Sequence, residues 1–262
     1  MRRLAVLGHP VSHSRSPAMQ NAALEALGLA GEWSYEAIDV DPGEFEQRVR
    51  GLADEGFVGA NVTIPHKEAA LVAADEASSA AREIGAANTL SFTAEGIRAD
   101  NTDAPGLISA LPRPAAGVRT LVLGAGGSAR AAVWALAREG ASVEVWNRTP
   151  ERADQLVREL GAERAASDSY GLVINCTAVG MPGTGDPFEQ LPLDREALGP
   201  DLVLVDLVYG GQETELVREA RSLGAATVDG LEVLVRQGGE SLRIWTGQEP
   251  PLDVMREAAR SG

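Results

Sequence analysis

The 262 residues carry 38 acidic against 23 basic side chains, a formal net charge of −15, with 44% apolar and 23% charged residues. That length suffices for one large or two ordinary domains, and the composition is that of a folded chain; the negative field weighs against nucleic acid or an anionic membrane as partner. No apolar run approaches bilayer length, and the single cysteine, Cys176, allows no intrachain disulfide, so the cytoplasm is the expected compartment. Arg2-Arg3 before LAVLG imitates a signal peptide, but His9-Pro10 ends the apolar run and no small-residue cleavage site follows.

Taken in order, RLAVLG reads as a strand, PAMQNAALEALG as a helix, WSYEAIDV as a strand, PGEFEQRVRGLADEG as a helix, FVGANVT as a strand and HKEAALVAADEA as a helix. NTLSFT and GIRADN, joined at Ala94-Glu95, read as a hairpin. LPRPAAG then precedes a second series whose strands are TLVL, SVEVW, LVINC, LVLVDL and ATVD. The pattern predicts an α/β chain of two domains: an α/β domain with a mostly parallel sheet, and a doubly wound Rossmann-type domain. The last helical patterns, VLVRQGGESLRIW and LDVMREAARS, are too short to fold alone and are expected to return to the first domain. The expected division is therefore 1–102 plus 235–262, against 103–234.

LVLGAGGSARAAVWALAREG sets Gly124, Gly126 and Ala129 in a G-x-G-x-x-A pattern between a buried strand and a helix. Gly124 permits the turn, Gly126 admits a pyrophosphate to the backbone and Ala129 allows close packing, so dinucleotide binding is expected, against a merely tight turn. After the next strand, where an acid would greet the ribose of NAD, the chain reads Asn147-Arg148-Thr149. The guanidinium favours NADP, unless Arg148 is only a solvated charge.

Lys67 is the only lysine, in NVTIPHK. Guanidinium does not release its proton near neutral pH but an ammonium can, so a chain that otherwise uses arginine is expected to keep lysine where proton exchange or a compact cation is needed. Thr63-Ile64-Pro65 resembles a helix start with Thr63 as its cap, which would put Lys67 one turn in, where the helix dipole favours proton loss. Asp103, in NTDAPG, is the candidate partner; the competing assignment makes it a helix cap. Ser14 and Ser16 before Pro17 could likewise be caps, and His9 with His13 is broken by Pro10 as a metal pair.

With NVTIPHK, AANTL, NTDAPG, GAGGSAR, NRT and RQG in order, and VSHSRSPAMQNAA and LRIWTG near the ends, the chain closely resembles shikimate dehydrogenases over its whole length. The resemblance implies NADP-linked, reversible reduction of 3-dehydroshikimate to shikimate in a cleft between a discontinuous substrate domain and a Rossmann domain. It implies that Ser14 and Ser16 hold the substrate carboxylate, that Thr63, Asn88, Tyr209 and Gln237 contact the substrate, and that Lys67 with Asp103 is the catalytic pair. For NADP it implies the turn Gly124, Ala125, Gly126, Gly127, Ser128 and Ala129, the adenosine contacts Asn147, Arg148 and Thr149, and Thr177, Met181 and Gly230 further along. The chain departs from the family where Gly210-Gly211, rather than Asn-Pro, follows the tyrosine.

Two rival functions share these features: an NAD-preferring quinate/shikimate dehydrogenase, which Arg148 disfavours, and a non-catalytic NADP-binding sensor, which would not need Lys67 and Asp103. A homodimer is allowed by the sequence and not marked in it.

Overall fold

Five consecutive residues of the first strand, Leu4 through Gly8, are buried, as in a strand covered on both faces. The structure, a computed structural model, describes residues 1–167, 169–210 and 212–261. Strand β1 (Arg2–Gly8) lies between β2 (Trp33–Asp39) and β3 (Phe57–Val62) and runs parallel to both. With β4 (Glu76–Ala77), β5 (Thr89–Thr93) and β6 (Gly96–Asp100) it forms a six-stranded sheet in the order β2-β1-β3-β5-β6-β4.

The β3-β5 and β5-β6 pairings are antiparallel. Two reversals restore the original direction, so β6 leaves the sheet at the same edge as β1 and β3, and β5 enters there. The segments following Gly8, Val62 and Asp100 and the residue preceding Thr89 therefore share the carboxyl edge of the sheet, where open α/β sheets place their ligands.

Helices α1 (Ser16–Ala26), α2 (Phe45–Leu52), α3 (Lys67–Ala73) and α4 (Ser79–Ile84) belong to this unit. The sequence reading ran α3 on to Ala77 and missed α4. The chain leaves α3 because Ala74 is extended and Asp75 pairs with Ile97, backbone to backbone at 2.8 Å and carboxylate to amide at 2.8 Å, which sheet pairing wins over helix propensity. Ser78 then caps α4, its hydroxyl accepting from the Ala81 amide, and Gly85 ends it at φ 74°.

In the second unit β7 (Arg119–Leu123), β8 (Ser142–Trp146), β9 (Glu163–Arg164), β10 (Leu172–Asn175), β11 (Val203–Asp206) and β12 (Ala226–Val228) are all parallel, in the order β12-β11-β10-β7-β8-β9. That is the doubly wound order, with its switch between β7 and β10. Side chains alternate across β7: Val122 joins one core cluster, with Ala129, Val133 and Leu136, and Leu121 and Leu123 join the other, with Leu216, Val217 and Ala220. Two buried faces explain a strand with no polar alternation. Helix α5 (Asp103–Ala110) precedes this sheet; α6 (Gly127–Arg138), α7 (Pro150–Leu160), the one-turn α8 (Pro187–Gln190) and α9 (Glu215–Ser222) connect its strands. The two-residue β9 and the one-turn α8 gave no readable pattern in the sequence.

The chain divides into Met1–Gly106 with Leu234–Gly262, and Leu107–Val233. It passes between them inside α5 and inside α10 (Gly230–Thr246), and α11 (Leu252–Ser261) ends the first unit. Asp103 was expected in the Rossmann part and lies in the first unit instead. Its side chain is held there by Lys67 and Asn88, and at Gly106 a Cβ would stand 2.6 Å from that of Gln237, a close helix contact that ties the start of α5 to α10.

Candidate functional site

Lys67 is the first residue of α3, not a turn inside it, and the cap position is His66 rather than Thr63. His66 is 2% exposed, stacks on Phe45 at 4.4 Å between ring centres, and its Nε2 lies 2.8 Å from the Val40 carbonyl oxygen. The ring thus pins the start of α3 to the end of β2. Burial pushes its pKa below the usual value of 6.5, against the raising effect of the Val40 bond.

From that anchored position Lys67 donates from Nζ to Asp103 Oδ2 at 2.6 Å, with the two side chains 11% and 16% exposed. Asp103 opens α5 but does not cap it. Asn101 Oδ1 accepts from the Ala104 amide, leaving the Asp103 carboxylate to receive Lys67 on one oxygen and Asn88 Nδ2, at 2.9 Å, on the other.

The orientation of Asn88 follows from an unambiguous donor. The Thr102 amide points at Asn88 Oδ1 at 2.7 Å, so the nitrogen side must face Asp103, Thr102 Oγ1 at 2.9 Å and Gln237 Oε1 at 3.0 Å. Gln237 in turn donates from Nε2 to the Leu234 carbonyl at 2.9 Å. Behind this layer the hydroxyls of Thr89, Thr102 and Ser241 lie 2.9 to 3.1 Å from one another, and Asn61 donates to Ser241 Oγ at 2.8 Å while accepting from Tyr35 at 2.8 Å. Asn61, Asn88, Thr89, Thr102, Gln237 and Ser241 are all buried, as is Tyr35. A satisfied polar layer of this kind holds its members rigidly, because each lost bond would strand a buried partner.

Ser16 is buried at the first position of α1, whose cap, Arg15, makes no side-chain bond; the Ser16 amide instead donates to Ser14 Oγ at 3.3 Å. The Ser14 hydroxyl thus serves the first amide of α1, and Ser16 sits at the start of the same helix. The approach to that turn is braced by Asp39, whose carboxylate accepts from the Val11 amide at 3.1 Å and lies 2.7 Å from His9 Nδ1. The hydrogen bond to Asp39 raises the His9 pKa. His9 is thus engaged by Asp39. Thr63 sits between β3 and α3 with its methyl packed so close to Gly8 that a Cβ there would be 2.5 Å away.

In the second unit Gly124 has φ 111°, and a Cβ on it would come 3.2 Å from the Cys176 carbonyl oxygen, so the turn needs glycine on both counts. Gly126 is the cap of α6 and offers no side-chain bond to the amides behind it, and a Cβ placed there would meet nothing within 4 Å. A 12-residue helix whose cap residue makes no side-chain bond, following Ala125 and Gly126 and with Gly127, Ser128 and Ala129 in its first turn, fits a pyrophosphate. Arg148 is exposed with no ion-pair partner among the described residues, beside Asn147, which donates to the Thr149 carbonyl at 2.9 Å. Thr177 Oγ1 donates to Asn175 at 2.7 Å, and Met181 is 37% exposed on the same loop. Gly230 has a steric reason of its own: a Cβ would stand 2.6 Å from the Leu207 carbonyl oxygen. Tyr209 is half-buried in the segment after β11, and Gly211 lies outside the described residues. Cys176, directly after β10, is half-buried against the core.

Against known proteins, residues 6–90 match the shikimate dehydrogenase substrate binding domain, 110–176 the shikimate / quinate 5-dehydrogenase family and 230–260 the shikimate 5'-dehydrogenase C-terminal domain. A shikimate dehydrogenase (NADP(+)) of Methanothermobacter thermautotrophicus is 42% identical, covering 97% of this chain and 94% of its own. That of Methanocella arvoryzae is 45% identical, covering 97% of each. The chain belongs to the shikimate dehydrogenase family. A Thermus thermophilus shikimate 5-dehydrogenase crystallised with NADP(H) and shikimate superposes with a TM-score of 0.89 at 42% identity, over 100% of this chain and 99% of the other.

Within this shikimate dehydrogenase scaffold, sequence reasoning named the outer layer and missed what lies behind it. Asn61, Thr89, Thr102 and Ser241 were not singled out. One signal was available: Ser241 follows Gln237 by four residues, on the same face of one helix, and Thr102 precedes Asp103 directly.

Proposed function

We propose that this chain catalyses the reversible, NADP-linked reduction of 3-dehydroshikimate to shikimate. The observation that carries the proposal is the Lys67–Asp103 ion pair, held at 2.6 Å on the carboxyl edge of the first sheet with Asn88 fixing the far carboxylate oxygen. A cation that can release a proton, aligned by a carboxylate that is itself aligned, is what reduction of a carbonyl requires at the oxygen.

The residues divide the work by chemistry. Ser14 and Ser16 take the substrate carboxylate with neutral hydroxyl donors, which spares this acidic chain a guanidinium at the site. Thr63, Asn88, Gln237 and Tyr209 satisfy the substrate hydroxyls, and analogues lacking one leave a buried partner unpaired. NADP is held by the Gly124–Ala129 turn, with Asn147, Arg148 and Thr149 at the adenosine end and Thr177, Met181 and Gly230 along its length. When bound, the nicotinamide supplies the hydride. Lys67 Nζ gives its proton to the C3 oxygen in reduction and takes it back in oxidation; Asp103 keeps Nζ in place and accepts from the adjacent substrate hydroxyl. The expected division of labour makes residues 1–102 with 235–262 the substrate domain, extended here to Asp103, and the remainder the NADP domain. The single cysteine and acidic composition support a reducing cytoplasm and small-molecule ligands.

The assay is absorbance at the reduced-nicotinamide band with shikimate and each oxidised cofactor in turn. Reduction of NADP+ in preference to NAD+ is expected. Preference for NAD+, with activity on quinate, would favour the quinate/shikimate variant, and silence with both would favour a sensor.

A further inference from the structure

Asp206 ends strand β11 fully buried and takes no part in the chemistry above. Its Oδ1 accepts from Asn175 Nδ2 at 2.9 Å and from the Val208 amide at 3.1 Å, and its Oδ2 accepts from Thr214 at 2.6 Å. Asn175, also fully buried, ends the neighbouring strand β10. Its amide is saturated: Nδ2 donates to Asp206 and to the Val179 carbonyl at 3.0 Å, and Oδ1 accepts from the Thr177 amide at 3.1 Å and the Thr177 hydroxyl at 2.7 Å.

We infer that Asp206 is a positioning residue for the cofactor site, acting through Asn175 to set Thr177 and, through Val208, the segment that carries Tyr209. The inference rests on the reading of Thr177 as a cofactor residue. Its logic is directional. An amide side chain has two nearly isosteric orientations, and a carboxylate oxygen, which can only accept, admits one of them. With the nitrogen side of Asn175 drawn to Asp206, the oxygen side must face Thr177, which closes the turn from Asn175 to Val179. The same Oδ1 draws in the Val208 amide, so one atom organises the loops after two adjacent strands. Both loops leave the carboxyl ends of β10 and β11, the side on which β7 delivers the glycine turn.

What the site requires is an acceptor at Oδ1, not the charge. An asparagine at 206 can keep its oxygen toward Asn175 and Val208 and turn its NH2 toward Thr214, whose hydroxyl then accepts. Alanine can do neither. This difference separates positioning from bulk stability.

The test measures NADP+ binding by calorimetry and shikimate oxidation kinetics on the whole protein, for wild type, Asp206→Asn and Asp206→Ala. Wild type that neither binds NADP+ nor oxidises shikimate would refute the functional reading itself and is therefore distinguishable. Given an active wild type, Asp206→Asn is expected to bind NADP+ within about threefold of it, and Asp206→Ala to bind at least about tenfold more weakly, with KM for shikimate rising less than KM for NADP+. A folded Asp206→Ala protein with a lower melting temperature and unchanged NADP+ affinity overturns the inference, as does an Asn variant as damaged as the Ala variant. Should the alanine protein not fold, Asn175→Ala carries the same test: weakened NADP+ binding supports the inference and unchanged binding overturns it.

Discussion

At the scale of single residues, lysine against arginine is the informative choice. Lys67→Arg keeps a cation beside Asp103 but removes a dischargeable proton, so turnover is expected to fall sharply while NADP+ affinity holds; near-normal kcat would mean that a fixed positive charge suffices. Arg148 makes a second prediction. It is the exposed cation of Asn147-Arg148-Thr149, and Arg148→Ala should raise KM for NADP+ by about tenfold or more with little change for NAD+, read as the ratio of kcat/KM values. An unchanged ratio would return Arg148 to the role of a solvated charge. Lys67 and Arg148 stand out in the sequence because each is a chemical exception: the only lysine in an arginine-rich chain, and a base where an acid is usual. Thr102 and Ser241 do not, because a buried hydroxyl looks like any other until its neighbours across the fold are known.

At the scale of elements, the geometry of the Lys67–Asp103 pair depends on how α3 begins. The helix-start signal at Thr63-Ile64-Pro65 pointed to the right place but the wrong cap; what fixes Lys67 is a tertiary contact, the burial of His66 against Phe45 and Val40, which no local pattern announces. The same contact gives a pH dependence. Because burial lowers the His66 pKa below 6.5, the unfolded chain binds a proton more readily than the folded one, so stability from neutral His66 is complete above about pH 6.5 and is lost as pH falls through that value toward the lowered one. His9, raised by Asp39, works in the opposite sense, full below 6.5 and lost as pH rises through its folded value. The difference in melting temperature between wild type and His66→Gln isolates the first: it should shrink from pH 7.5 to about pH 5, and a constant difference would contradict it.

The element β11 supplies a second pH test. Burial lifts Asp206 from 3.8 to about 6, with the bonds from Thr214, Val208 and Asn175 opposing it. Between those values the folded protein holds a proton that the unfolded chain has released, so this group's contribution falls as pH rises from about 4 to about 6 and stays low above. The neutral, isosteric Asp206→Asn protein escapes that loss. Its melting temperature relative to wild type should therefore improve from pH 4.5 to pH 8. A difference independent of pH would show that the buried carboxylate is not penalised.

At the scale of the whole molecule, the order of strands and helices was readable because both sheets are built on buried apolar runs separated by amphipathic helices, and the doubly wound order of the second unit follows from that alternation. The division of the chain was less legible. Sequence composition changes at LPRPAAG, yet the boundary that the contacts draw falls after Gly106, inside a helix, because Asp103 is tied by side chains to residues far back in the sequence. Short pieces such as β4, β9 and α8 depend on partners supplied by distant segments and left no periodic trace. With the proposed substrate residues largely on one unit and the proposed dinucleotide turn on the other, shikimate and NADP+ should each raise the melting temperature of the Lys67→Ala protein, which on this proposal keeps both binding sites and loses only the chemistry.

The most direct test of the catalytic assignment is the kcat of Lys67→Ala beside its dissociation constants for shikimate and NADP+. The account predicts a kcat lower by about 10²–10⁴-fold with both constants within a few-fold of wild type. Turnover near the wild-type rate would place the proton-transfer step on some other group and contradict it.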